Sequence, residues 1–92
     1  MTRYQSGYRF ERRVMEYLQK RGYYVIRSAG SHGVFDLVAI WNYDVRGIQC
    51  KKDGRISREE KDQMIEAGKK YGIMPVLAYS KGKKIQFELL SA

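Results

Sequence analysis

Two apolar stretches of this chain carry polar groups at their centres. Asp36 stands within GVFDLVAI, and Gln49 and Lys51 alternate with apolar residues in GIQCKK. Taking an amide out of water without a partner costs on the order of 2–7 kcal/mol, and an ionised group costs more. These side chains therefore satisfy one another or are arranged around a further component. Alternation along a strand puts Gln49 and Lys51 on one face and Ile48 and Cys50 on the other. In an antiparallel hairpin turning near Tyr43, Asp36 lies opposite Gln49 or Lys51, depending on the register. All three polar groups then converge on one side of the sheet. A second carboxylate, Glu11, sits on the inward flank of the first helical segment, and it joins the group if that helix packs over the same side.

Two carboxylates, an amide oxygen and an amine suit a hard divalent cation with its waters. Mg²⁺ takes one or two protein carboxylates together with phosphate oxygens of a substrate. An ion so placed polarises a phosphodiester and activates water, and a neighbouring lysine steadies the charge that develops on phosphorus. The alternative is a buried Asp36–Lys51 salt bridge that merely tolerates its desolvation. Spacing leaves the two readings level, and the charge of the chain favours the first. Lys and Arg number 18 against 10 Asp and Glu, a net charge of +8. The bases run through the chain, with Arg12, Arg13, Arg27, Lys51, Lys52 and Arg55 among them. A folded surface this positive fits a phosphate backbone, although a basic protein kept soluble by repulsion has the same composition.

The elements that must position these groups are readable from periodicity. Residues 7–21 predict a helix stopped by Gly22, with Phe10, Val14 and Leu18 on one stripe at ~100° per residue. Residues 23–27, 34–41 and 45–52 predict three strands, the last two forming a hairpin around NYD. SREE at 57–60 is a capping box that opens a second helix towards Tyr71, with Gly72 beyond its end. MPVLAYS and KIQFELL close the chain as two more strands. The order αβββαββ gives an α/β fold with a mixed central sheet flanked by helices. The 92 residues make one domain, 1–92, with no linker or repeat. A lone cysteine, Cys50, predicts a reducing, cytoplasmic setting, and no run is long enough to cross a membrane.

Other conspicuous residues divide between packing and contact. Cys50 reads as a small buried hydrophobe, and His32 as a polar loop residue. Tyr17, Tyr24 and Phe87 are expected in the core, while Tyr4, Tyr8, Tyr43 and Trp41 are open to stacking on unpaired bases. Lys81, Lys83 and Lys84 at a hairpin tip suit either a grip on phosphate or solvent, and Arg58 and Lys61 on the second helix either a dimer contact or solvent.

DLVAI followed after a hairpin by IQCK resembles the bipartite motif of the PD-(D/E)XK nuclease superfamily, whose core is the restriction-endonuclease-like fold. Together, GYRFERRV, VIRSAGSHGVFDLVAI, IQCK and GIMPVLA resemble the archaeal-type Holliday junction resolvases over nearly the whole chain. That resemblance implies a Mg²⁺-dependent endonuclease, with Mn²⁺ able to substitute, acting as a homodimer on four-way DNA junctions. It makes Asp36 the principal metal ligand, Lys51 the catalytic lysine, and Glu11 a supporting carboxylate acting through water. It makes Arg12 and Arg27 phosphate contacts and Ser31 a loop hydroxyl beside the scissile phosphate; Lys52 and Arg55 extend the expected DNA-binding surface. Gln49 departs from the acidic residue usual at its position and is similar to the Gln of Mrr-type nucleases. Its amide oxygen can still ligate Mg²⁺ but brings no charge. Three further readings follow: a nuclease of this fold acting on another DNA structure or modified duplex, a DNA-binding module that has lost the chemistry, and a basic structural protein with an inert ion network.

Overall fold

The computed structural model describes residues 3–28 and 33–91. Seven elements follow in the expected order: α1 (Arg3–Lys20), β1 (Tyr24–Arg27), β2 (Leu37–Trp41), β3 (Asp44–Cys50), α2 (Arg58–Tyr71), β4 (Met74–Lys81) and β5 (Lys84–Leu89). The strands form one sheet in the order β1-β2-β3-β4-β5. Its pairs are antiparallel except β3 with β4, which run parallel. A parallel pair needs a crossover connection, and α2 provides it.

Each helix covers one face. Phe10, Val14 and Leu18 of α1 pack on Leu37, Ala39, Ile48, Val76 and Ala78, as the helical stripe predicted. Met64 of α2 packs on the other face with Phe35, Leu77 and Leu90. The termini of α2 are closed by local chemistry. Ser57 accepts the Glu60 N–H at 3.1 Å, and Gly72 adopts φ 71° and returns its N–H to Gly68. That left-handed conformation carries no Cβ penalty in glycine.

Three expectations need correction. Helix α1 begins at Arg3 rather than at residue 7, passing through Gly7, a position that costs about 1 kcal/mol relative to alanine without breaking a helix. Tyr24 is 68% exposed rather than in the core. It lies on the face of β1 opposite Val25, which packs towards α1, and α2 lies over β4 at the far side of the sheet. Strand β2 begins at Leu37 rather than at residue 34. Its ladder pairs Leu37 with Ile48, yet the Asp36 N–H also donates to the Ile48 carbonyl, at 2.8 Å. Two residues of one strand thus oppose one of the next, a bulge. In a regular strand residues 35 and 37 would share a face. The bulge sends Phe35 to the core under α2 and Leu37 to the core under α1.

Candidate active site

The bulge fixes what Asp36 can touch. Its Oδ2 accepts the Cys50 N–H at 2.9 Å, a donor that a backbone carbonyl of the neighbouring strand would otherwise satisfy. The carboxylate is thereby tied to the end of β3, between Gln49 and Lys51 in sequence. Directly before it, the Phe35 ring lies flat on Gly47. A Cβ at that glycine would stand 2.6 Å from the ring carbons, so only glycine admits this packing without a shift.

A cavity of about 270 Å³ opens beside this point, lined by Gly33, Asp36, Gln49, Glu60, Gln63 and Met64 among others. It lies between the end of the sheet and the first turns of α2. Asp36 and Gln49 therefore face one space, as the hairpin argument required. Lys51 does not line it, but its ammonium meets Oε2 of Glu60, which does, at 2.9 Å. Its backbone N–H is held by the Ala78 carbonyl of β4 at 2.9 Å. The Asp36–Lys51 salt bridge weighed from the sequence is not formed. The lysine is engaged by Glu60 instead, because α2 starts above the end of β3 and its capping box turns that carboxylate inward.

Electrostatics follow from burial and partners. Desolvation raises the Asp36 carboxyl above its ordinary range, and the Cys50 N–H and the charges of Lys51 and Arg27 oppose the rise. The Lys51 hydrogen bond holds Glu60 below its ordinary range, with the lysine's charge and bonds to Ser57 adding to it. The Cys50 thiol is pushed well above its usual value by burial, then by the charges of Asp36 and Glu11. A thiol held protonated is a poor nucleophile, and Cys50 packs against the core under α1 as expected.

Glu11 reaches the same end of the sheet from the other face. The sequence argument brought it to Gln49 and Lys51 if α1 packed over their side, but α1 packs over the face of Ile48 and Cys50. There Glu11, with its side chain only 17% exposed, accepts Arg27 Nε at 2.8 Å. The Arg27 guanidinium also stands 4.6 Å from the Tyr8 ring centroid. Among the described residues, no three His, Cys, Asp or Glu side chains converge in a way that could hold a metal ion. Glu11 thus lies near the site without entering its cavity.

Arg12 is exposed and pairs with Glu16 at 3.3 Å. Lys52 and Arg55 are exposed just beyond β3, in a turn where the Arg55 N–H donates to Asp53 Oδ1 at 3.0 Å. A second, more open hollow of about 750 Å³ is lined by Gly7, Cys50, Lys51, Lys52, Asp53, Ser80 and Gly82. Ser31, His32 and Tyr4 fall outside the described residues or side chains. Tyr43 is 99% exposed at the tip of the β2–β3 hairpin.

A family model described as archaeal Holliday junction resolvase (Hjc) matches residues 2–92. The chain belongs to this family. With it, the chain belongs to the PD-(D/E)XK nuclease superfamily. A crossover junction endodeoxyribonuclease Hjc from Methanocaldococcus jannaschii is 38% identical over 80 residues, covering 83% of this chain. The chain's match spans 59% of that relative's length. The structure of Hjc from Archaeoglobus fulgidus, a Holliday junction resolvase, superposes with a TM-score of 0.80 at 26% identity, covering 92% of this chain and 73% of that one. The mixed five-stranded sheet with two helices thus matches the architecture of that Hjc structure.

Within the Hjc family frame, one residue lining the cavity is not evident from sequence. The pattern marks Glu60 only as the closing member of a capping box. The signal that could have found it is the short connection from β3 to α2: a carboxylate at the third helical position is held beside the strand end that carries Lys51.

Proposed function

We propose that the chain is a divalent-metal-dependent endonuclease of branched DNA that resolves four-way junctions, acting within the cell as a homodimer. The observation that carries this reading is the convergence of Asp36 and Gln49 on one open cavity, with Lys51 following at the same strand end and bonded to Glu60 of that cavity's lining. The donors there are hard oxygens, and a half-buried carboxylate raised by desolvation gains from a cation. That chemistry fits Mg²⁺, or Mn²⁺ in its place, with Asp36 and Gln49 as ligands. When bound, such an ion supplies Lewis-acid polarisation of the phosphodiester and lowers the pKa of water.

The chain's own residues do the rest. The Cys50 N–H orients the Asp36 carboxylate, so it enters the reaction already positioned. Lys51 has three donors; one holds Glu60, and the others can reach a non-bridging phosphate oxygen as negative charge builds on it. In the net reaction water adds to phosphorus, one bridging P–O bond breaks, and the departing oxygen takes a proton. Glu11 acts one layer back, fixing Arg27 near Asp36. Arg27, Lys52 and Arg55 supply positive charge for the backbone on either side, with Arg12 on α1 adding to it, and the Ser31 hydroxyl is a neutral donor to phosphate. A two-fold dimer matches a pseudo-two-fold junction. The uncovered side of β1, where Tyr24 and Ile26 are exposed, is an apolar face suited to a second copy. No helix among the described residues is long and apolar enough to cross a membrane.

The deciding experiment incubates the purified protein with a synthetic four-way junction and with plain duplex of equal length, with and without Mg²⁺. Preferential, Mg²⁺-dependent cutting of the junction is expected. Equal cutting of both substrates replaces the junction with another DNA structure. Tight junction binding with no cutting under Mg²⁺ or Mn²⁺ favours a DNA-binding module, the reading that the uncharged Gln49 supports.

A further inference from the structure

The geometry points to Glu60, carried on α2, as the residue that supplies the negative charge Gln49 lacks, completing the ion site with Asp36. This rests on the metal-dependent reading above.

Glu60 lines the same cavity as Asp36 and Gln49. Its Oε2 is 2.9 Å from Lys51 Nζ, so the lysine already has a counter-anion at the site, and that anion comes from the helix rather than from β3. The charge balance depends on it. Asp36 against Lys51 alone sums to zero and leaves little to attract a dication. Adding Glu60 gives a net charge of about −1, and affinity for hard cations follows the number of charged ligands.

The position of Glu60 is built rather than incidental. Ser57 Oγ accepts the Glu60 N–H at 3.1 Å, and the same hydroxyl lies 3.1 Å from Glu60 Oε1. These bonds fix the backbone and one carboxylate oxygen at the first turn of α2, while the second oxygen meets Lys51. The capping box does not require the charge, since glutamine closes it equally well. A carboxylate rather than an amide answers positive charge here: the Lys51 ammonium already at 2.9 Å and, in this proposal, the cation beside Asp36. Glu59, one residue earlier in the helix, is exposed and lines neither hollow.

The test is titration of Mn²⁺ into protein without DNA, read by calorimetry, with junction cleavage as a second readout. Glu60→Gln keeps the cap and the volume and removes the charge. It is expected to weaken Mn²⁺ binding by about tenfold or more, as loss of a charged ligand should, and to slow cleavage. Combining it with Gln49→Glu is expected to restore binding to within about threefold of wild type, because the charge returns from the strand. Glu59→Gln is expected to leave binding unchanged. Wild-type binding retained in Glu60→Gln, or faster cleavage by it, overturns the proposal while the nuclease reading stands; the second result would make Glu60 a block on Lys51. A double variant that stays as weak as Glu60→Gln also overturns it. A wild-type protein that binds no Mn²⁺ and cuts no junction overturns both.

Discussion

Gly47→Ala places a methyl group where the Phe35 ring now lies, and the cost can be worked from the geometry. The new Cβ would stand 2.6 Å from two ring carbons and 2.7 Å from a third, where ordinary contact begins at 3.4 Å. The ring must therefore retreat by about 0.8 Å, and overpacking of this kind costs about 1–3 kcal/mol. Phe35 cannot swing into water cheaply, because it packs with Met64, Leu77 and Leu90. For a domain of this size each kcal/mol lowers Tm by about 4–8 °C. Thermal unfolding by circular dichroism reads the shift. The same ring precedes Asp36, so its retreat is also expected to loosen the Cys50 N–H bond and reduce cleavage. Phe35→Leu on its own loses ring contacts and destabilises, but it also removes the obstacle. In the double variant Gly47→Ala is expected to cost at least about 0.5 kcal/mol less than in wild type, the coupling typical of residues in contact. An unchanged Tm for Gly47→Ala, or strictly additive losses, would refute the idea that this glycine exists to seat the ring beside the site.

Asp36→Asn keeps an oxygen for the Cys50 N–H and is expected to abolish cleavage while preserving the fold and junction binding. Because burial raises the wild-type carboxyl above its ordinary 3.8, the native state holds that proton more tightly than the unfolded chain. The associated stability is present below the ordinary value and lost as pH rises through the raised one. The Tm advantage of Asp36→Asn should therefore widen from about pH 3 towards neutrality; a difference that is flat, or that shrinks, contradicts the burial argument. Junction binding should weaken steeply with salt. Lys52→Ala or Arg55→Ala should each reduce the log–log salt slope by about 1 if it meets a phosphate, and an unchanged slope removes that residue from the interface.

The αβββαββ order was legible because each element carries its own signal. The Phe10–Val14–Leu18 stripe, the Ser57–Glu60 box and Gly72 mark the helices, and apolar runs separated by turns mark the strands. Three features were not legible, and all are tertiary. Tyr24 reads as core by composition, but its exposure depends on where α2 lands across the sheet. The face to which α1 packs also depends on the whole sheet, and that choice separates Glu11 from the cavity it was expected to enter. The bulge at Asp36 is hidden for a related reason: GVFDLVAI reads as one continuous strand unless the register of its partner is known.

The register decides between chemistry and an inert ion network. Had the Asp36 carboxylate met Lys51, the pair would have neutralised itself, and removing either partner would have left a stranded charge and little else. Instead the bulge gives Asp36 a backbone donor, Cys50 N–H, which orients the carboxylate without cancelling its charge. Lys51 is then left to a carboxylate from another element, Glu60. A network built only for stability has no reason to hold its acid by a neutral amide at the edge of an open cavity. A site that must present negative charge to a cation, and a movable ammonium to a phosphate, needs that separation. The prediction that follows is specific. Lys51→Met, which removes the ammonium but keeps the stem, should leave Mn²⁺ binding intact or tighter while cleavage is lost. In an inert network the same change would strand Glu60 and lower Tm, with no Mn²⁺ bound before or after it.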